Sequence, residues 1–179
     1  KKKLGVKKSS LILNSPMIEE NTYHNANYFH KLYDIPHESL VFVYLGILDR
    51  GRGIDFIIDA FSESAIKSHV VFVGYGAYDK KIKGASLTAK NIHLHSAVPH
   101  EDVVSLVKNA DVGLCLIENV SLSDFYCLPN KLFEYTFAGL PVLASEFPDI
   151  SNLVNKYDLG YTCEIDSKSI LQEVINIER

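Results

Sequence analysis

The chain is 179 residues long, 47% hydrophobic and 22% charged, with a formal net charge of −4. Those proportions are ordinary for one soluble globular domain with enough chain to bury a core, and the acidic balance counts against a general nucleic-acid binder. No run approaches the ~18 apolar residues of a membrane span, and the three scattered cysteines, Cys115, Cys127 and Cys163, give neither a disulfide framework nor a zinc pattern and fit a reducing compartment.

The chain opens on Lys1 with no secretory signal pattern, and its one methionine is Met17, as expected of a piece of a longer protein. Residues 1–40 hold a single short apolar run in "SSLILNSPMIEEN" and read as a lead-in or linker, with a helical turn near Tyr28 to Leu32. From residue 41 to 179 the pattern is that of one domain. Short apolar, β-rich runs predict strands over 40–47, 69–76, 91–98, 111–117, 141–145 and 160–165, the first of them nearly all apolar as a strand covered on both faces should be. Between them, Ile54, Ile57, Ile58 and Phe61 at helical spacing predict a helix over 54–66. Further helices are predicted within 79–85, over 100–110 after Pro99, from 129 to Gly139, over 149–157 and over 167–179. This alternation implies right-handed βαβ units and an α/β fold: a Rossmann-like, doubly wound, mostly parallel sheet of six strands. Ligands of such sheets sit at the carboxyl ends of the strands, which directs attention to Arg52, 74–78, 97–100 and 118–131.

In "GILDRGRGI" two glycines flank Arg52 just before a helix, so the backbone can turn sharply while the guanidinium offers a fork of donors to phosphate oxygens. A solvated turn explains the same residues equally well. "VGYGAYD" starts like a dinucleotide fingerprint, but Asp79 stands where the third glycine belongs, so a tight turn is the better reading. His93 and His95 share one face of a strand without a carboxylate or cysteine partner, a weak metal pattern better read as satisfied or surface histidines. Ser121, Ser123 and Asp124 lack the G-x-S-x-G context of a hydrolase.

The segment "LPNKLFEYTFAGLPVLAS" at 128–145 carries the most chemistry. With Pro129 as the first helical residue, Leu128 has no side-chain oxygen to cap the helix, and the amides of Asn130, Lys131 and Leu132 are left to hold an anion. Lys131 opposes the helix dipole by a few tenths to ~1 kcal/mol, whereas each charge-assisted hydrogen bond to a phosphate contributes ~1.5–3 kcal/mol. Glu134 lies one turn on, where its carboxylate suits two vicinal ribose hydroxyls, while Leu132, Phe133, Thr136 and Phe137 form the buried face. The competing reading makes Asn130 the N-cap and Lys131–Glu134 a surface pair of ~0.2–0.5 kcal/mol.

That segment resembles the nucleotide-binding stretch of GT-B glycosyltransferases, specifically the family-four-like retaining enzymes. "VYLGILDRGRGIDFIIDAF", "VFVGYGAYDKKIK" and "NIHLHSAVPHEDVVSLVKNADVGLCLI" are similar to their successive strand–loop–helix units, and "LILNSP" to the lead-in from the other domain. The resemblance implies the C-terminal, donor-binding half of a two-domain glycosyltransferase of polysaccharide biosynthesis, without cofactor or obligatory metal. Its substrate is a nucleoside diphosphate sugar, UDP favoured over GDP, and a glycan or lipid-linked acceptor would bind through the N-terminal domain. By position, Arg52 and Lys131 match diphosphate contacts, Glu134 the ribose contact and the backbone around Val98 the base contact. No catalytic residue is assigned. The acidic residue that relatives place eight positions before Glu134 is Tyr126 here, so the sugar contact falls to Tyr126 or Asp124; Ile47 replaces a second arginine. The full-length enzyme is expected in the cytoplasm, with room for peripheral contact with the inner face of the membrane. The present chain alone is expected to bind donor without transferring it. A GT-B epimerase or hydrolase, and a non-catalytic nucleotide- or protein-binding module, are the competing readings.

Overall fold

The computed structural model describes residues 27–179, so the apolar run at 9–21 and its "LILNSP" motif lie outside the described residues. In chain order the elements are α1 (Tyr28–Tyr33), β1 (Val41–Ile47), α2 (Ile54–Phe61), β2 (His69–Tyr75), α3 (Asp79–Thr88) and β3 (Ile92–Ser96). A 3₁₀ turn (His100–Asp102) then leads into α4 (Val103–Val107), β4 (Val112–Cys115), α5 (Leu122–Phe125) and α6 (Asn130–Ala138). The chain continues through β5 (Val142–Ser145), α7 (Pro148–Tyr157), β6 (Gly160–Cys163) and α8 (Ser167–Ile177).

The six strands form one sheet in the order β3-β2-β1-β4-β5-β6, and every pairing is parallel. The order reverses between β1 and β4, the place where such sheets open a crevice at their carboxyl edge. Alternation along the strands divides the core in two. Val41, Val43 and Leu45 join Val71 and Val73 beneath α1, α4, α6 and α7. Phe42 and Tyr44 join Val70 and Phe72 beneath α2, α3 and α8. Both faces are therefore covered, which is why the inner strands β1, β2, β4 and β5 are near-continuous apolar runs, whereas the edge strands β3 and β6 are only partly buried.

Residues 28–37 also pack on the sheet. Phe29 and Ile35 are buried in the first cluster, each contributing ~1.5–3 kcal/mol by removal from water. The Tyr33 hydroxyl donates to the Leu94 carbonyl at 3.0 Å. α1 also accounts for the histidine pair of β3. Tyr33 stacks on His93 at 4.4 Å between ring centroids, and His69 Nδ1 meets His93 Nε2 edge to edge at 2.9 Å with the two rings nearly coplanar, while the Tyr28 hydroxyl lies 3.0 Å from His95 Nε2. Burial, then the neighbouring His69, pushes His93 down to about 4, so it packs as a neutral ring.

Two segments differ from the sequence reading. The helix expected over 100–110 is a 3₁₀ turn followed by a short α4, since the chain must bring Asp111 back to accept from the Val41 amide at 2.8 Å. The loop at 118–127 contains α5, nucleated by a local capping pattern: Ser121 Oγ accepts from the Asp124 amide at 3.2 Å and donates to its carboxylate at 2.6 Å. At the far end, Glu178 Oε1 accepts from the amides of Lys67 and Ser68 at 3.0 and 2.7 Å and from the Ser68 hydroxyl, fastening the end of α8 to the start of β2. No helix among the described residues is long and apolar enough to cross a membrane.

Candidate functional site

A cleft of about 460 Å³ opens at the carboxyl ends of β1 and β2, bounded by the β1–α2 loop, the β3–α4 loop and the start of α6. Arg52, Val98, Asn130, Lys131 and Glu134 all line it, with Tyr44, Ile47, Tyr75 and His100. Thus five of the seven residues singled out from the sequence meet in one place. Asp124 and Tyr126 do not reach it. Asp124 is engaged with Ser121, and Tyr126 is 58% exposed with its ring edge-on to Phe125 at 4.9 Å.

The β1–α2 loop presents Arg52 because Gly51 and Gly53 take φ of 80° and 69°, a left-handed conformation that glycine adopts without a Cβ penalty. The Gly53 amide donates to Glu118 Oε1 at 3.1 Å, tying the loop to the end of β4. The other glycine turn holds no such opening: Asp79 accepts from the Gly76 amide at 2.8 Å, filling that donor from within the chain.

α6 begins at Asn130, one residue later than predicted, with Pro129 in extended conformation as its N-cap and no side-chain cap. The Leu132 amide is not left over, since it donates to the Pro129 carbonyl at 3.1 Å. The buried face is also rotated from the one expected. Leu132 and Tyr135 are buried, whereas Phe137 is 43% exposed. The cause is Tyr135, whose hydroxyl accepts from the Leu45 amide at 2.8 Å and donates to the Leu114 carbonyl at 3.3 Å. Its ring lies flat on Gly113, where a Cβ would come within 2.3 Å of it. This anchor locks α6 in the rotation that aims Lys131 and Glu134 at the cleft.

Lys131 Nζ is buried without a hydrogen-bond partner and sits 3.7 Å from the centroid of the Tyr44 ring. A cation–π contact of up to ~2 kcal/mol falls short of the several kcal/mol required to desolvate an ammonium, so the lysine is held but undercompensated. The Lys131–Glu134 surface pair allowed by their spacing is not formed; ion pairs among the described residues are Lys81–Asp55 and His100–Glu134. Glu134 is only 6% exposed. Burial pushes its carboxyl up from the ordinary range, while His100 and Lys131 pull it back. A carboxylate acceptor, an ammonium, a guanidinium and the uncapped start of a helix are thus gathered in one cleft, groups whose chemistry complements a compact anion and hydroxyl donors.

Tyr44 and Tyr135 were not singled out from the sequence, and His100 entered only as the last residue of the 97–100 loop at the ligand edge of the sheet. For Tyr44 the hint was a tyrosine interrupting an aliphatic strand two residues before its glycine; the pairing of His100 with Glu134 depends on a loop conformation that periodicity does not reveal.

Residues 39–178 match the family model described as glycosyl transferases group 1. No curated protein sequence matches significantly. Among solved structures, the chain is similar to WaaG, a glycosyltransferase involved in lipopolysaccharide biosynthesis (TM-score 0.62, 19% identity, covering 89% of this chain and 46% of that one). It is also similar to HepE of Anabaena in complex with UDP and glucose (TM-score 0.65, 14% identity, 84% and 41%). A third is sucrose-phosphate synthase of Thermosynechococcus elongatus (TM-score 0.62, 18% identity, 83% and 38%). At these identities the likeness is one of fold, and the chain spans less than half the length of each.

Proposed function

The chain belongs to the group 1 glycosyl transferases, and on that premise we propose that it is the donor-binding half of a retaining enzyme that moves a sugar from a nucleoside diphosphate to a glycan or lipid-linked acceptor in polysaccharide biosynthesis. The observation that carries this reading is Lys131: a buried, unpartnered ammonium at the uncapped start of α6, in one cleft with Arg52 and Glu134. A diphosphate supplies the missing negative charge. As the glycosidic bond breaks, charge accumulates on the leaving diphosphate, and fixed positive groups stabilise that state more than the ground state. Glu134 accepts from the ribose hydroxyls, and the backbone near Val98 faces the base. UDP is the preferred nucleotide, matching the ligand in the HepE structure. The acceptor and the transfer step belong to an N-terminal domain facing the cleft, at the cytoplasmic side of a membrane.

Calorimetric titration with UDP and GDP tests this. UDP binding at least tenfold tighter than GDP is expected, without sugar transfer by this chain alone. Absence of binding by either nucleotide would overturn the assignment, and tighter GDP binding would overturn the base preference.

A further inference from the structure

His100 is the one cleft-lining group paired with Glu134. Its Nδ1 lies 3.7 Å from Glu134 Oε1. The two come from different elements, the 3₁₀ turn after Pro99 and the second turn of α6. Their exposures are opposite: the His100 side chain is 59% exposed and that of Glu134 is 9% exposed. One partner is therefore fixed in the wall and the other stands at the rim.

We propose that His100 is a positioning residue that sets the preference of this cleft for ribonucleotides, acting through Glu134. The inference rests on the reading that Glu134 takes the ribose hydroxyls. An ionised carboxylate has about four acceptor positions, whereas a protonated one gives up an acceptor to become a donor. Two vicinal hydroxyls donating together need the ionised form in a fixed plane. His100 Nδ1 stands at the rim 3.7 Å from Oε1, beyond hydrogen-bond length, so it biases the plane of the carboxylate through charge and packing without occupying either of its oxygens.

The charged groups around this pair come from three elements. Lys131 lies one turn before Glu134 on α6, with its ammonium on the Tyr44 ring. Arg52 lines the cleft from the β1–α2 loop. Glu101 and Asp102 follow His100 within the 3₁₀ turn, and the carboxylate paired with the imidazole is Glu134.

The test compares UDP with 2′-deoxy-UDP at one fixed pH, so that the phosphate contribution cancels in the ratio of the two affinities. His100→Ala is expected to lower the wild-type ratio roughly two- to fivefold, the range of a partly exposed ion pair, and His100→Gln should recover part of it. A ratio left unchanged by His100→Ala, or an equal loss for both nucleotides, overturns the proposal. Failure of UDP itself to bind overturns the donor-site reading instead, so the two failures are distinguishable. Unchanged thermal melting of both variants separates positioning from a folding defect.

Discussion

Two helices of this domain start in opposite ways. α8 is entered through Asp166, whose carboxylate accepts from the Ser169 amide at 2.9 Å and from its hydroxyl at 2.7 Å. α6 is entered through Pro129, with no side-chain cap and with a lysine in its first turn. Both starts carry the same surplus of amide donors and the same partial positive charge. The α8 start satisfies them from its own sequence and lies away from the cleft. The α6 start has no side-chain cap, its Leu132 amide turning instead to the Pro129 carbonyl, and it opens into the cleft beside Arg52. Local stability is optimised in one helix and withheld in the other, and the helix where it is withheld faces the proposed diphosphate.

The largest expected departure from that contrast comes from Lys131→Ala. It should weaken UDP binding by ~1.5–3 kcal/mol, about 10- to 150-fold in a titration. Stability should be unchanged or higher by a few tenths of a kcal/mol, because a cation leaves the positive end of a helix. Loss of stability with unchanged binding would make α6 an ordinary helix. Asp166→Ala is the mirror experiment. It should lower the unfolding free energy by about 1 kcal/mol in denaturant melts while leaving the UDP affinity as it was.

Tyr44→Leu probes how Lys131 is held ready. Removing the ring should weaken UDP binding about two- to fivefold, within the range of a partly desolvated cation–π contact. Tyr44→Phe should retain the affinity, because it loses only a hydroxyl that donates to the Ile47 carbonyl at 3.2 Å. Equal loss in both variants would point to the hydroxyl and not the ring.

The smallest effect is a pH dependence confined to the α8 start. The Ser169 hydroxyl, then its amide, holds the Asp166 carboxyl below its ordinary value of 3.8. A depressed folded-state value contributes stability above the unfolded value and loses it as pH falls through the folded one. The stability gap between wild type and Asp166→Asn should therefore be steady from pH 7 to about 4 and close below that. A gap that widens on acidification would reverse the assignment.

Much of the fold was legible because buried parallel strands leave a strong one-dimensional signature. "LVFVYLGI" and "HVVFVGYG" each announce a strand, and their alternation with helices restricts the connection to one hand. The convergence of Arg52, Lys131 and Glu134 followed from that topology, since their loops share one edge of the sheet. The rotation of α6 was not legible. Phe133 and Phe137 are as apolar as the true anchor, and what selects Tyr135 is a pair of buried backbone groups on β1 and β4 together with the open space over Gly113. Tertiary hydrogen bonds overrode the apparent hydrophobic phase. The pairing of His100 with Glu134 was hidden for a related reason, although the 97–100 loop of His100 was legible as part of the ligand edge. Its partner is 34 residues away, and the 3₁₀ geometry that brings them within 3.7 Å replaces the regular helix that the pattern indicated. Asp124 was legible as an acid but not as a cap, because a serine three residues earlier claims it.

The Glu178 contact has a practical bearing on how this domain is handled. Three donors at the entrance to β2 depend on one carboxylate oxygen in the next-to-last residue of the sequence. A truncation or fusion boundary placed before Glu178 therefore removes a fastener of the sheet. Trimming two residues would expose the amides of Lys67 and Ser68, and hydrogen exchange at those two positions would report the damage before any change in bulk melting.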